Sequence, residues 1–385
     1  MHPDQLAKNA PGRLVKVGSG GEAFWHFVPD PLPPKLTYGL AFARELAAAE
    51  RAVGRLAGLG QALENPQLFV HPFIRQEAVA SSRIEGTESD LRDLLIYEVS
   101  GRPRPGGPPE ADVREVLNYV HALEYGLARL DSLPVCLRLV REVHERLMAG
   151  VRGRSRERGE FRTGQNRIGG SSARTARYVP PPVTEMDGCL HQLESYLQET
   201  GPDDPLVRLA CIHYQFEAVH PFWDGNGRIG RLLLVLLTVH WGLLSLPLLY
   251  LSAFFEEYRR DYYDLLLGVS TDGRWAEWLR FFLKAIEVQS RDALERAKSL
   301  EDLRRRWREL FHGTRASVRL LHLVDSLFEN PYLTVRDAAH RTEVTYAAAQ
   351  QHVRRLAEEG VLEEVSGVLN PRLYVAAEVL SCLRR

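Results

Sequence analysis

The chain has 385 residues, enough for two or three domains with sizeable cores. Its 45% hydrophobic and 26% charged residues describe ordinary globular material, and a net charge of −1 excludes a global field for nucleic acid or an anionic membrane. Cys136, Cys189, Cys211 and Cys382 are scattered with no CxxC spacing, which excludes a disulfide framework or a cysteine zinc site. No charged-then-apolar signal follows Met1, so the expected location is the cytoplasm.

Residues 1–37, with Pro31, Pro33, Pro34 and several glycines, read as an irregular arm. Leu40, Ala43, Leu46, Ala47, Val53, Leu56 and Leu59 recur at helical spacing and predict a helix over 39–64, broken at Asn65 and Pro66. A second helix is expected to start near Pro72, a good first-turn residue, and to run to Gly86. Thr87 with Asp90 suggests a capping box for the next helix, and the Pro/Gly-rich run 101–109 reads as a linker. Helical periodicity returns over 113–130 and 137–148. Residues 151–182 are Gly- and Arg-rich with a β-like close at Tyr178 and Val179, and helices resume over 186–200 and 205–219.

The segment 232–255 carries no Asp, Glu, Lys or Arg and is long enough to cross a bilayer, but Gly242 and Pro247 interrupt it. It reads as a core helix, a turn and the start of the next helix, not as a membrane span. Further helices are expected over 258–269 and 275–299, and the charge-mixed stretch 301–309 as a joint. Residues 315–385 read as three helices followed by a β-pair around Gly367, an order that resembles a winged helix-turn-helix. Three regions result: a helical 1–115, a central 116–299 and a terminal 310–385.

The chemistry concentrates in 220–231, His-Pro-Phe-Trp-Asp-Gly-Asn-Gly-Arg-Ile-Gly-Arg. Gly225 and Gly227 let the backbone approach an anion closely. The apolar spacing of Ile229, Leu232, Leu233, Leu236 and Val239 predicts a helix starting there, whose N-terminus favours phosphate. Asp224 is suited to Mg²⁺, Arg228 and Arg231 to phosphate oxygens, and His220 to accepting a proton at neutral pH.

This stretch resembles the Fic-domain pattern H-x-F-x-[DE]-G-N-G-R-x-x-R at every specified position. The resemblance implies a mainly α fold with a Fic-type helical core and a β-hairpin flap. It implies transfer of AMP from ATP to a Ser, Thr or Tyr hydroxyl of a target protein or of the chain itself. His220 would be the general base and Asp224 the Mg²⁺ ligand. Asn226 with the Gly225 and Gly227 backbone would hold the α- and β-phosphates, Arg228 the β-phosphate region and Arg231 the γ-phosphate. Leu251 and Tyr262 would line the adenine pocket, although ordinary core is the other reading of both. The phosphorylating branch of the family departs at the second loop glycine, so Gly227 favours AMP transfer.

Two further segments gain meaning from the resemblance. Ser81, Glu85 and Gly86 read by themselves as a helix end with an exposed Glu and a Gly cap; they match the family's inhibitory pattern [ST]-x-x-x-E-[GN], which implies that Glu85 pairs with Arg231. The run 159–182 reads by itself as a solvated or RNA-contacting basic loop, with eight arginines over 152–177. It resembles the Fic flap, which implies that Ile168, Gly169, Gly170, Tyr178 and Val179 form a hairpin whose edge pairs with an extended target segment. Arg167 stands where family members often have Trp.

Residues 334–375 offer Gln350, Gln351, His352, Arg354 and Arg355 for DNA, but nine Arg balance nine Asp and Glu over 315–385, and homodimer formation or target recruitment stays open. The competing functions are a nucleotide-sensing transcription regulator and a Fic enzyme that removes AMP or uses another nucleotide.

Overall fold

A computed structural model describes all residues except 1–3, 5, 19–23, 38, 63–64, 151–156, 171, 173–174, 200, 202, 312–317, 366–370 and 384–385. The turn expected around Gly367 and part of the basic loop therefore lie outside the described residues.

The chain opens with an antiparallel hairpin of β1 (Gly12–Val17) and β2 (Phe24–Pro29), not an irregular arm. The proline signal holds only beyond residue 29; before it, β-formers such as Val15, Val17 and Phe24 dominate, and Phe27 and Val28 are buried. Next come α1 (Leu40–Ala62), α2 (Gln67–Ile84) and α3 (Leu91–Ser100). Helix α2 begins before Pro72, which sits inside it. The capping box of α3 is Asp90 with Asp93, where each carboxylate accepts the other's backbone N–H at 2.8 and 3.1 Å. Thr87 is thus one turn too early to be the cap.

Helices α4 (Glu110–Arg129), α5 (Leu137–Leu147), α6 (Val183–Gln198), α7 (Pro205–Val219) and α8 (Asn226–His240) follow the expected periodicity. The apolar stretch after Arg231 resolves into the rest of α8, a turn with Gly242 at φ 67° and the short α9 (Ser252–Glu257). No helix among the described residues is long and apolar enough to cross a membrane.

After α10 (Arg259–Asp272), α11 runs from Trp275 to Phe311, straight through the expected joint at 301–309. Leu300, Leu303, Trp307 and Phe311 keep a buried stripe on it, so the high charge belongs to its solvated face. The terminal region is α12 (Val318–Glu329), β3 (Tyr332–Thr334), α13 (Val335–Thr342), α14 (Tyr346–Glu358), β4 (Glu363–Glu364), β5 (Leu373–Val375) and α15 (Ala377–Leu383), with an antiparallel sheet ordered β3-β5-β4. Strand β3 and helix α15 are too short to carry a periodic signal.

The chain forms two compact units: residues 1–54, 118–243 and 251–289, and residues 55–117, 244–250 and 290–385. In the first, α7 is buried along nearly its whole length and packs on α6, α8, α10 and β2. Gly230 permits the α7–α8 approach: a Cβ there would lie 3.3 Å from both His213 and Phe216. In the second, α2 and α3 share a core with the terminal region. Leu95 and Ile96 cluster with Tyr332, Leu373 and Leu380, the Phe69 and Phe328 rings meet at 6.4 Å, and Arg75 pairs with Glu98 at 2.9 Å.

Candidate active site

The site is built where α7 ends and α8 begins, within the first unit. His220 caps α7 in the left-handed conformation, φ 49° and ψ 61°, an unusual backbone for a non-glycine residue. Its carbonyl is gripped twice, by Arg162 Nε at 3.0 Å and Asn166 Nδ2 at 3.1 Å. Arg162 also donates to the carbonyls of Gly164 and Pro181 at 3.1 and 2.6 Å, and its backbone N–H donates to Pro221 at 2.8 Å. Among the described residues no carboxylate pairs with this 1% exposed guanidinium, and burial lowers its pKa to about 10. A charged fork on several carbonyls is a strong, directional clamp. The His220 imidazole lies with Nδ1 3.3 Å from the Glu217 carbonyl, so the favoured tautomer donates from Nδ1 and keeps its lone pair on Nε2.

Beyond His220 the loop closes on itself. Phe222 is fully buried, and the Asn226 amide brackets it: Oδ1 accepts the Phe222 N–H and Nδ2 donates to the Phe222 carbonyl, both at 2.8 Å. The Asn226 side chain, expected on the phosphates, thus shapes the loop. Gly225 takes φ 78° as the N-cap of α8, and Asp224 Oδ1 accepts its N–H at 2.6 Å. The Asp224 side chain is 64% exposed and lies 3.6 Å from Arg228, whereas Arg228 and Arg231 are buried at 4% and 2% exposure. An exposed carboxylate and the dehydrated Arg228 guanidinium therefore meet at a helix N-terminus, with Arg231 buried one turn further along α8, an arrangement suited to a polyphosphate.

The expected flap forms. Ile168 and Tyr178 exchange backbone hydrogen bonds at 3.0 and 3.2 Å, and Gly169 and Gly170 turn with positive φ. Its base is anchored: Tyr178 is buried with its hydroxyl donating to the Ala218 carbonyl at 2.8 Å, and the Val179 carbonyl accepts the Phe27 N–H of β2 at 2.9 Å. Of the five flap residues, only Gly169 and Gly170 are exposed, with Ile168 half-buried.

Leu251 is the N-cap of α9 and is buried. Tyr262 is fully buried against Phe255 and Trp278, with its hydroxyl 2.8 Å from His213 Nε2. His213 Nδ1 lies 3.2 Å from the Gly230 carbonyl, and burial followed by the nearby Arg231 charge pushes its pKa down to about 3. In the second unit, Ser81 is buried on α2, Glu85 is its C-cap, and Gly86 has φ 101°, which a side chain rarely tolerates.

Three supports escape a reading of the sequence by itself: His144, Arg162 and His213. Each is a polar side chain whose buried partners are distant in the chain. The only signal is that His144, Leu147 and Met148 share an apolar helix face.

Comparison with known proteins agrees with this geometry. Residues 43–128 match the model of the Fic/DOC family N-terminal region, and residues 134–238 match that of the Fic/DOC family. The chain belongs to the Fic/DOC family. This Fic chain is 30% identical over 177 residues to a protein named protein adenylyltransferase Fic from Aedes aegypti, covering 45% of the chain and 32% of the relative. A protein of the same name from Drosophila grimshawi is 28% identical over 176 residues, covering 45% and 33%. The Fic chain thus spans about a third of the length of these relatives. A crystal structure of a Fic family protein from Desulfovibrio desulfuricans shares the fold with a TM-score of 0.57 and 21% identity, covering 90% of this chain and 98% of that one.

Proposed function

We propose that the chain is a protein adenylyltransferase that moves AMP from ATP to a hydroxyl of a target protein. The observation that carries this reading is the loop from His220 to Arg231, where a histidine with Nδ1 3.3 Å from the Glu217 carbonyl precedes a helix N-terminus followed by two buried arginines. His220 takes the proton as the hydroxyl oxygen attacks the α-phosphorus and the bond to pyrophosphate breaks. The Gly225 and Gly227 backbone, Arg228 and Arg231 neutralise the phosphates, so that catalysis is positioning plus charge compensation.

Asp224 suits Mg²⁺. Among the described residues no group of three or more His, Cys, Asp or Glu could cage a metal. An exposed lone carboxylate beside a phosphate cradle matches a cation that keeps waters and shares substrate oxygens. When bound, Mg²⁺ held by Asp224 would supply charge neutralisation to the substrate phosphates.

The same reading includes self-inhibition. It is supported by the match of Ser81, Glu85 and Gly86 to the family's inhibitory pattern and by the left-handed Gly86 that ends α2 beside Glu85; in this reading Glu85 would withhold Arg231 from the γ-phosphate. The terminal region, whose element order and β3-β5-β4 sheet support a winged helix, holds α2 through the Phe69–Phe328 core. The exposed flap turn at Gly169 and Gly170 aligns an extended target segment.

Incubation with ATP labelled at the α- or the γ-phosphate tests the reading. Transfer of α-label to protein, lost in His220→Ala with ATP binding retained, is the expected result. Transfer of γ-label would make the chain a kinase, and reversible binding without transfer would make it a sensor.

A further inference from the structure

The glycine freedom that lets the loop approach an anion also leaves it loose. Gly225 tolerates either sign of φ, so the peptide between Asp224 and Gly225 is held against a flip only by its partners: on the N–H side, the exposed Asp224 carboxylate at 2.6 Å. A flip would turn the loop away from the conformation that leads into α8. Something must hold the Asp224 carbonyl, and the structure contains that support on α5.

His144 is 4% exposed, and both of its ring nitrogens are engaged. Gly159 donates its N–H to Nδ1 at 3.0 Å, so the lone pair is on Nδ1 and the proton on Nε2. Nε2 lies 3.1 Å from the Asp224 carbonyl and donates to it. The ring stacks on Phe222 with centroids 3.7 Å apart and planes 8° from parallel. Its Cδ2 and Nε2 lie 3.5 Å from where a Cβ of Gly225 would stand, and Met148 Sδ, one turn later, lies 3.1 Å from the same point. Met148 Sδ is also 4.0 Å from Arg228. One face of α5 thus touches the loop at 222, 224, 225 and 228.

We propose that His144 is a positioning residue of the nucleotide loop: its Nε2–H locks the peptide between Asp224 and Gly225, and Gly159 fixes the tautomer that makes this possible. The inference rests on the reading of the loop as an ATP site, but the lock itself is a property of the chain without nucleotide.

Three variants of the full chain separate the lock from mere packing. Glutamine extends its amide N–H to about where Nε2 stands and keeps the donor to Asp224. Asparagine reaches only the Nδ1 position and keeps an acceptor for Gly159, and alanine keeps neither. Losing the bond and stranding a buried carbonyl weakens MgATP binding by about tenfold in His144→Ala and His144→Asn, while His144→Gln stays within about threefold. The split is expected in the ATP Kd and in KM for ATP, with melting temperatures falling alike for His144→Asn and His144→Gln.

Hydrogen exchange of the 222–228 amides without nucleotide gives a second readout. It accelerates in His144→Ala and His144→Asn and is restored in His144→Gln. Equal ATP affinity and equal exchange for the asparagine and glutamine variants would overturn the proposal and leave His144 as core. A wild-type chain that moves no AMP would sink the adenylyltransferase reading, yet the exchange comparison would still decide this one.

Discussion

The carbonyl of His220 accepts from two side chains at once, Arg162 Nε at 3.0 Å and Asn166 Nδ2 at 3.1 Å. Both donors come from the segment leading into the flap, and the carbonyl belongs to the residue held at φ 49°. Strain at the proposed base is thereby offset by a clamp that also anchors the flap.

Arg162→Lys tests that clamp. Lysine keeps the charge but cannot reach several carbonyls in a plane. Charge-assisted bonds of this kind contribute ~1.5–3 kcal/mol, and stranded carbonyls add to the loss. We expect a stability loss of about 2–4 kcal/mol by chemical denaturation, with AMP transfer falling by at least about tenfold in protein that remains folded. A variant with wild-type turnover would show that the His220 conformation needs no guanidinium.

Glu85→Gly is expected to raise self-modification by about ten- to a hundredfold, the range of one charge-assisted pair. Under the proposed self-inhibition, Glu85→Gly combined with Arg231→Ala is expected to show no such gain, because the arginine that Glu85 would withhold is gone. Initial rates at saturating ATP for the wild type and both variants decide it. Equal rates for wild type and Glu85→Gly would make Glu85 an ordinary helix end.

Acid should loosen the first unit before carboxylates titrate. His213 and His144 have pKa values lowered to about 3 and about 4 by burial, from an unfolded value of 6.5. Their folded forms refuse a proton that the unfolded chain accepts. This stability is complete above pH 6.5 and is lost as pH falls toward the folded values, by up to ~1.4 kcal/mol per pH unit for each group. Denaturation midpoints at pH 7.5, 6 and 5 are expected to fall for the wild type and to fall less steeply for His213→Phe. An unchanged slope in that variant would remove His213 as a cause.

Phe328→Ala should be felt in α2. Phe328 is fully buried between Phe69, at 6.4 Å, and Trp307, at 5.4 Å. Truncation of such a ring costs ~3–5 kcal/mol, and amide exchange in α2 is expected to accelerate with it. Unchanged α2 protection would mean that the terminal region does not hold that helix.

The sequence by itself determined the parts whose signals are local. The α7 and α8 helices, the glycines at 225 and 227 and the order of chemical groups from His220 to Arg231 follow from periodicity and from residue types that tolerate few substitutes. The β1–β2 hairpin, the extension of α11 past 301 and the start of α2 before Pro72 did not follow. In each a local signal, proline or charge, was outweighed by burial against residues distant in the chain.

Tertiary structure alone decided how the loop is held. The Asn226 amide, which the family resemblance assigns to the phosphates, brackets Phe222, a contact that residue type by itself does not announce. His144 belongs to no motif, and only the fold brings Gly159 and Asp224 onto its two nitrogens. A hydrogen bond to a distant backbone carbonyl leaves no mark on the sequence of that carbonyl's residue, because every residue has one. The reacting groups are therefore legible from residue types, and their supports only from the fold.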